Sequence, residues 1–266
     1  MTDGKQPVGD ITVAYTEQGA GPPVVFVHGL AEDRASWAVQ QRELTGFRTV
    51  SVDLRGHGET TVGAAGGTLA QLGGDLVGVL DALTGPAVCV GFSLGGTVVL
   101  RAALDRPDLV RSAIVLGTSP IVGRAAVEFY GERIALVERG DAAEIRDATT
   151  SDTAAALVTD VDVDALVSAR VAAIGSGAGY VNAARAMAGL RAQPLTEELA
   201  NVQSPVAVVG ADADSFCPRK AADILLDALP AATYHEVPGA GHLMNVDQPA
   251  LVTDLLRELL AEGAGT

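Results

Sequence analysis

The sequence predicts an α/β fold in which helices flank a mostly parallel central sheet and a helical lid is inserted into the chain. Three observations support this prediction. Short apolar runs alternate with helical stretches, which is typical of a parallel sheet covered by helices. The runs Val24–Val27 and Ala87–Phe92 are continuously apolar, as expected for strands that are buried on both faces. After Pro120 this alternation stops, and it resumes at Val206.

The individual elements follow from these patterns in chain order. Alternating or continuous apolar residues predict strands at 11–17, 24–27, 47–54, 87–92, 113–116, 206–209 and near 233–237. Helical spacing of apolar residues predicts helices at about 36–44, 69–83, 94–104, 221–229 and 246–260.

Residues 121–200 form the predicted insertion. This segment contains Ala-rich helical stretches and lacks the pattern of a strand. Roughly eighty residues are too many for a loop inside a compact domain, so we expect a subdomain with its own packing. The predicted organisation is one core made of residues 1–120 and 201–266, with a helical lid at 121–200 over the carboxyl end of the sheet.

Composition and charge exclude several classes of protein. The chain has 266 residues and a formal net charge of −15, from 33 acidic and 18 basic residues. Nucleic-acid binding draws on concentrated Lys and Arg, and the sequence has no basic cluster. No apolar run approaches the ~18 residues that a membrane span requires.

The cellular setting is predicted from the amino terminus and the cysteines. The first residues lack the apolar region of a signal peptide, and Cys89 and Cys217 make no disulfide framework. We therefore expect a cytoplasmic protein, a monomer or homo-oligomer, that acts on a small-molecule substrate and binds neither nucleic acid nor membrane.

The run Gly91-Phe92-Ser93-Leu94-Gly95 lies where a buried strand turns into a helix. This Gly-x-Ser-x-Gly pattern is typical of a nucleophile elbow, a sharp turn that holds the serine in strained backbone geometry. Glycines two residues to either side let the neighbouring chain pass without Cβ clashes. Ser93 is therefore the candidate nucleophile, and its hydroxyl should project from the carboxyl end of the sheet.

A serine hydroxyl needs a base that is itself oriented by an acid. His242 fits the role of base because it lies in a loop between a strand and the last helix, and His57 is the alternative. The acid should follow a strand that lies between the nucleophile and the base in the chain. Asp212 and Asp214 both follow such a strand. Asp214 is favoured, and Asp212 would then stabilise the loop.

The chain resembles the α/β-hydrolase superfamily over almost its whole length. The matching segments are His28-Gly29-Leu30, Asp53-Leu54-Arg55-Gly56-His57-Gly58, Gly91–Gly96, Asp214–Pro218 and Gly241-His242. In that superfamily, the residue after His-Gly and the residue after the nucleophile donate the backbone N–H groups of the oxyanion hole. The resemblance therefore implies that Leu30 and Leu94 are the oxyanion donors and that His28 is structural.

The substrate pocket is expected between the lid and the elbow. Its candidate residues are Trp37, Phe92, Phe129, Tyr130, Tyr180, Phe216 and Met244. These residues predict an apolar pocket, and the acidic chain then favours a neutral ester or lactone. A substrate that carries a carboxylate would need a cation, for which the candidates are Arg34, Arg124, Arg133, Arg185 and Arg191.

The predicted function is hydrolysis of a carboxylic ester or lactone through an acyl-enzyme on Ser93. Serine at this position departs from the haloalkane dehalogenase and epoxide hydrolase branches, which have aspartate there. The segment from His28 to Gln40 and the compact insert resemble enol-lactone hydrolases and small esterases. We expect no metal and no cofactor, because zinc-ligand spacing and phosphate-binding loops are missing. Two alternatives stay open: C–C bond hydrolysis, lyase or cyclisation chemistry with the same triad, and a ligand-binding receptor.

Overall fold

The computed structural model describes residues 1–263. Its central sheet is built from β1 (Thr2–Val8), β2 (Ile11–Gln18), β3 (Pro23–Val27), β4 (Arg48–Val52), β5 (Ala87–Phe92), β6 (Val110–Leu116), β7 (Val206–Ala211) and β8 (Thr233–Val237). The order across the sheet is β1-β2-β4-β3-β5-β6-β7-β8. β2 runs antiparallel to β1 and β4, and all other neighbours are parallel. The predicted α/β fold with a mostly parallel sheet is confirmed.

The edge strand β1 was not predicted from the sequence. Its residues lack an apolar alternation, and Val8 is the one buried side chain among them. β1 pairs along its whole length with β2, from Thr2 opposite Glu17 to Val8 opposite Ile11. Backbone hydrogen bonds to a neighbour therefore define this strand, and a hydrophobic pattern does not report them.

Helices cover both faces of the sheet. They are α1 (Ala38–Glu43), α2 (Leu69–Val79), α3 (Leu94–Asp105), α4 (Arg124–Arg139), α5 (Ala142–Ala155), α6 (Val163–Ile174), α7 (Ala178–Gly189), α8 (Arg219–Ala228), α9 (Met244–Asp247) and α10 (Pro249–Gly263). One turn of π-helix, Leu80–Thr84, extends α2. The helix predicted at 246–260 is divided in two, because Pro249 lacks a backbone N–H and disfavours helical geometry at the preceding residue.

The core lies on both sides of the sheet, as the side chains of β3 illustrate. Val25 and Val27 pack with α2 and α3 on one face, whereas Val24 and Phe26 pack with α10 on the other. All four side chains are fully buried. Each such side chain contributes about 1.5–3 kcal/mol of hydrophobic stabilisation, so this strand is fixed firmly beneath the loops at its carboxyl end.

Helices α4 to α7 lie between β6 and β7, in the segment predicted to be a lid. α7 packs on the main core through Ala183 and Met187. Val137 of α4 and Ile174 of α6 belong to a smaller apolar cluster. The helices predicted for this segment are present, and the division into a core and a lid stays a prediction. Within residues 1–263, no helix is both long enough and apolar enough to cross a lipid bilayer.

Candidate active site

Ser93 occupies the turn between β5 and α3. Its backbone has φ 52° and ψ −116°, a positive φ that costs a residue with a Cβ on the order of 1–3 kcal/mol. Two hydrogen bonds hold this turn: the Ser93 N–H donates to the carbonyl of Leu116 at 2.8 Å, and the Thr118 hydroxyl donates to the Ser93 carbonyl at 3.1 Å. Strand β6 and the residues that follow it therefore fix the strained serine in place.

The glycines of the motif allow the elbow to pack tightly. A Cβ on Gly91 would collide with the backbone of Gly95 and Gly96. A Cβ on Gly95 would collide with the carbonyl oxygens of Val27 and His28 at the end of β3. Because both positions face backbone atoms that cannot move aside, the spacing of glycines around Ser93 is a steric requirement of the turn.

Ser93, His242 and Asp214 form a hydrogen-bonded chain. Ser93 Oγ lies 3.0 Å from His242 Nε2. His242 Nδ1 lies 2.9 Å and 3.1 Å from the two carboxylate oxygens of Asp214. With its proton on Nδ1, the imidazole donates to the carboxylate and accepts the serine hydroxyl at Nε2. The three side chains follow β5, β7 and β8, whose carboxyl ends meet at one edge of the sheet.

The Asp214 carboxylate is buried and well supplied with donors. Besides His242, the backbone N–H groups of Phe216 and Cys217 donate to it at 2.9 Å and 2.8 Å. Burial acts to raise the pKa of Asp214, but the hydrogen bonds from His242 and the two amides lower it below its usual value. The carboxylate therefore stays ionised and can orient the imidazole and stabilise its protonated form.

Asp212, the other acidic candidate, lies away from the imidazole. It is exposed, and it accepts a hydrogen bond from the Ala240 N–H at 3.2 Å. Hydrogen bonds from the backbone N–H groups of Gly239 and Ala240 lower the pKa of Asp212. This carboxylate therefore stabilises the loop before His242.

His57, the alternative base, is fully buried beside His28, with ring centroids 5.2 Å apart. His28 Nδ1 lies 2.7 Å from the Gly29 carbonyl oxygen, and its Nε2 accepts the Leu54 N–H at 3.0 Å. It thereby joins the segments after β3 and β4. Burial lowers the pKa of His28 to about 4 and that of His57 to about 3. The structure does not bring His57 to Ser93.

Two aromatic rings and one glycine confine the His242 imidazole. The rings of Phe92 and Phe216 lie with centroids 4.9 Å and 5.2 Å from it. Gly117, the residue directly after β6, has φ 54°, and a Cβ there would stand 3.3 Å from Asp214 Oδ2 and from His242 Nδ1. Sequence reasoning missed Gly117. Its place directly after a strand that ends at the same sheet edge is the signal that could have identified it.

The segment that carries Leu30 is held by its neighbours. The Gly29 N–H donates to Glu32 Oε2 at 2.9 Å, and Ala31 has φ 58°. Leu94 is the first residue of α3. Within residues 1–263, the backbone N–H groups of Leu30 and Leu94 donate to no protein acceptor. Such N–H groups beside a nucleophile are suited to accept developing negative charge.

A cavity adjoins Ser93 and His242, and helices α4 to α7 supply much of its lining. Five of the seven predicted pocket residues line it: Phe92, Phe129, Tyr130, Tyr180 and Phe216. The prediction is wrong for Trp37 and Met244, which are fully buried in the core beneath the sheet. The Trp37 ring packs against the ring of Phe26, with centroids 5.0 Å apart. Proximity to a motif in the chain did not indicate the direction of these two side chains.

Two arginines line the cavity. Arg133 was predicted as a candidate, and it forms two hydrogen bonds to Asp152, from Nε at 2.8 Å and from Nη2 at 2.6 Å. Arg170 was not among the candidates. It is the one basic residue in the otherwise mostly apolar helix α6, a signal that could have identified it. The candidates that do not line the cavity are Arg34, Arg124, Arg185 and Arg191.

One further reactive side chain, the Cys217 thiol, belongs to the loop that carries Asp214. Burial and the charge of Asp214 raise the pKa of the Cys217 thiol well above its ordinary value, so this cysteine is a poor nucleophile. Among residues 1–263, no group of three or more His, Cys, Asp or Glu side chains is arranged to hold a metal ion.

Comparison with known proteins places the chain in a family. Residues 22–249 match the family described as the alpha/beta hydrolase fold, so the chain belongs to that family. The matched range runs from the residue before β3 to the first residue of α10, and it includes Ser93, Asp214 and His242.

Individual relatives match over nearly the full length. A Mycobacterium tuberculosis (strain H37Rv) protein named as a non-heme bromoperoxidase, BpoC, is 28% identical over 264 residues, covering 94% of this chain and 98% of the relative. A solved thermophilic esterase from Thermogutta terrifontis has a TM-score of 0.84 and 26% identity, with 99% of each chain covered. The enol-lactonase from Burkholderia xenovorans LB400 has a TM-score of 0.86 and 22% identity, covering 97% of this chain and 100% of that one. Membership of this family supports a hydrolase.

Proposed function

We propose that the protein hydrolyses a small carboxylic ester or lactone through an acyl-enzyme on Ser93. The observation that carries this proposal is the contact between Ser93 Oγ and His242 Nε2, at 3.0 Å, within the chain that ends at Asp214. A hydroxyl in hydrogen-bond contact with an oriented imidazole can be deprotonated as it attacks.

The reaction follows from these contacts. Ser93 Oγ attacks the carbonyl carbon while its proton passes to His242 Nε2, and Asp214 stabilises the imidazolium that forms. The negative oxygen of the tetrahedral intermediate accepts hydrogen bonds from the N–H groups of Leu30 and Leu94, each worth roughly 3–4 kcal/mol. His242 then protonates the leaving alkoxide. Water, deprotonated by the same imidazole, releases the acid and restores Ser93.

The surroundings of the site support an ester or lactone. Phe129 and Phe216 are among the apolar side chains that line the cavity beside Ser93, and we propose that residues 121–200 act as a lid over it. The 26% identical relative is an esterase by name, and the structural likeness to the enol-lactonase concerns the fold. Aryl esters and lactones are therefore the substrates to test first.

The test is the variant Ser93→Ala, assayed with short-chain aryl esters and a panel of lactones. We expect it to fold as the wild type does and to lose more than about 10³-fold in kcat, because attack by Ser93 Oγ is removed. The matched control is Ser112→Ala near the start of β6, where the hydroxyl donates to the Pro205 carbonyl at 3.2 Å. It should retain wild-type kcat.

An acyl adduct on Ser93, trapped by rapid acid quench and identified by mass spectrometry, would support the covalent step. Wild-type-like turnover by Ser93→Ala contradicts the proposal. Binding of esters with no turnover by the wild type would instead favour the receptor alternative.

A further inference from the structure

Arg170 of α6 is a largely buried cation that lines the cavity, and its guanidinium makes no hydrogen bond to any of residues 1–263. Its side chain is 12% exposed, and it lines the same cavity as Ser93 and His242. Its Nε is buried without a partner. Its nearest anion is Glu32, whose Oε1 lies 3.6 Å from Arg170 Nη1, beyond hydrogen-bond distance. A guanidinium with one buried donor left unpaired is unfavourable, so an anionic group that supplies acceptors is favoured there.

Arg133 lines the same cavity, but its guanidinium already has partners within the protein. Its guanidinium makes two short hydrogen bonds to Asp152 and lies over the Phe129 ring, 4.7 Å from the centroid. Its charge is therefore compensated and its fork is occupied. Arg170 differs in that its planar fork remains available to a ligand.

Glu32 offsets the charge of Arg170 without occupying its donors. Glu32 is buried, and its Oε2 accepts the Gly29 N–H at 2.9 Å, next to the proposed oxyanion donor Leu30. Burial raises the pKa of Glu32, and the positive charge of Arg170 acts against that rise. The pair can therefore stay together while the N–H groups of Arg170 stay free for a stronger acceptor.

We propose that the cavity binds an ester or lactone that also carries a carboxylate, with Arg170 binding the carboxylate while the scissile carbonyl lies at Ser93. A guanidinium fork matches a carboxylate with two parallel hydrogen bonds, which an ester group cannot reproduce at equal strength. This inference rests on the proposed function. It replaces the neutral substrate expected from net charge, because a cation that lines the cavity acts on a bound group at shorter range and with less screening than the surface charges do.

The substrate test compares monomethyl with dimethyl esters of succinic, glutaric and adipic acid, so that the skeleton is constant and the charge changes. Wild type should hydrolyse at least one monomethyl ester with a higher kcat/KM than its dimethyl partner. Arg170→Met should lower kcat/KM for that monomethyl ester by roughly 10- to 100-fold. It should lower kcat/KM for the dimethyl ester by a clearly smaller factor, because that ester has no carboxylate for the guanidinium to bind.

The controls separate charge from folding. Arg185→Met removes another arginine of residues 121–200, one that is half exposed, pairs with Glu138 at 2.7 Å and does not line the cavity. It should leave the preference unchanged. Arg170→Lys keeps the charge without the fork, so it should recover part of the preference. An equal loss on both ester series in every Arg170 variant that folds, or no loss on the monomethyl esters, overturns the inference.

A binding measurement distinguishes this inference from the proposed function. Adipate and glutarate are titrated into Ser93→Ala and into Ser93→Ala/Arg170→Met by calorimetry. Binding to the first that is lost in the second supports the carboxylate site even if no ester is hydrolysed. Ester hydrolysis without discrimination by charge, together with equal binding to both variants, overturns the carboxylate site and leaves the esterase proposal standing.

Discussion

Asp212 and Asp214 are two positions apart in one loop, yet they have different surroundings. Asp214 is buried and receives hydrogen bonds from an imidazole and two backbone amides. Asp212 is exposed and receives the Ala240 N–H. Burial and the number of donors therefore distinguish two carboxylates that residue type and spacing left as alternatives.

This contrast gives a prediction for matched substitutions. Asp214→Asn should lower kcat by on the order of 10³- to 10⁴-fold, because an amide can hold the imidazole in the wrong tautomer and cannot stabilise its protonated form. Asp212→Asn should stay within about 3-fold of wild type. Steady-state kinetics with one aryl ester decides between them, and an inactive Asp212→Asn beside an active Asp214→Asn would reverse the assignment.

At the scale of elements, Asp247 at the end of α9 connects the loop of His242 to the segment between α5 and α6. Its carboxylate accepts the Gly241 N–H at 2.7 Å and the N–H groups of Val158 and Thr159 at 3.2 Å and 3.0 Å. This side chain is buried. The predicted lid and the predicted base therefore share one buried anchor.

Asp247→Asn tests this anchor. The amide cannot accept all of these hydrogen bonds, so the unfolding free energy should fall by about 2 kcal/mol. The Gly241 and Val158 amides should also exchange hydrogen faster, and kcat should fall more than KM rises as His242 loses its position. Urea unfolding, hydrogen exchange and kinetics measure the three effects. Asp254→Asn, in an exposed pair with Arg257, is the control. Unchanged exchange at both amides would contradict an anchoring role.

At the scale of the whole molecule, the buried pair His28 and His57 should make stability depend on pH. Burial lowers the pKa of both side chains below the ordinary value of 6.5, to about 4 and about 3. The unfolded chain therefore binds more protons than the folded protein between these values and 6.5. Stability from this source is fully present above pH 6.5 and is lost as the pH falls toward the folded-state pKa.

We therefore expect His57 to account for a loss of about 2 kcal/mol in unfolding free energy between pH 6.5 and pH 5. His57→Gln should remove that part of the pH dependence, whatever its effect on stability at pH 7. Urea unfolding at pH 7 and pH 5 measures the difference, with His235→Gln on β8 as the control. An identical slope in wild type and His57→Gln would show that burial of this imidazole does not act in this way.

Much of the fold and part of the site could be predicted because the signals are local. Apolar periodicity identified the central strands and most flanking helices. The glycine spacing around Ser93 reflects contacts within one turn, where a Cβ on Gly91 would meet Gly95. The polar edge strand β1 escaped prediction because its pairing with β2 leaves no hydrophobic pattern.

Local patterns of residues predicted the fold class, the elbow at Ser93 and the loops that carry Asp214 and His242. Tertiary structure alone decided which aspartate meets His242, that Trp37 points into the core, and that Arg170 faces the cavity with unused donors. The physical reason is that side-chain direction, burial and charge pairing depend on elements far apart in the chain. Apolar periodicity indicates which face of a helix or strand is buried. It does not indicate which side chains of different elements contact one another.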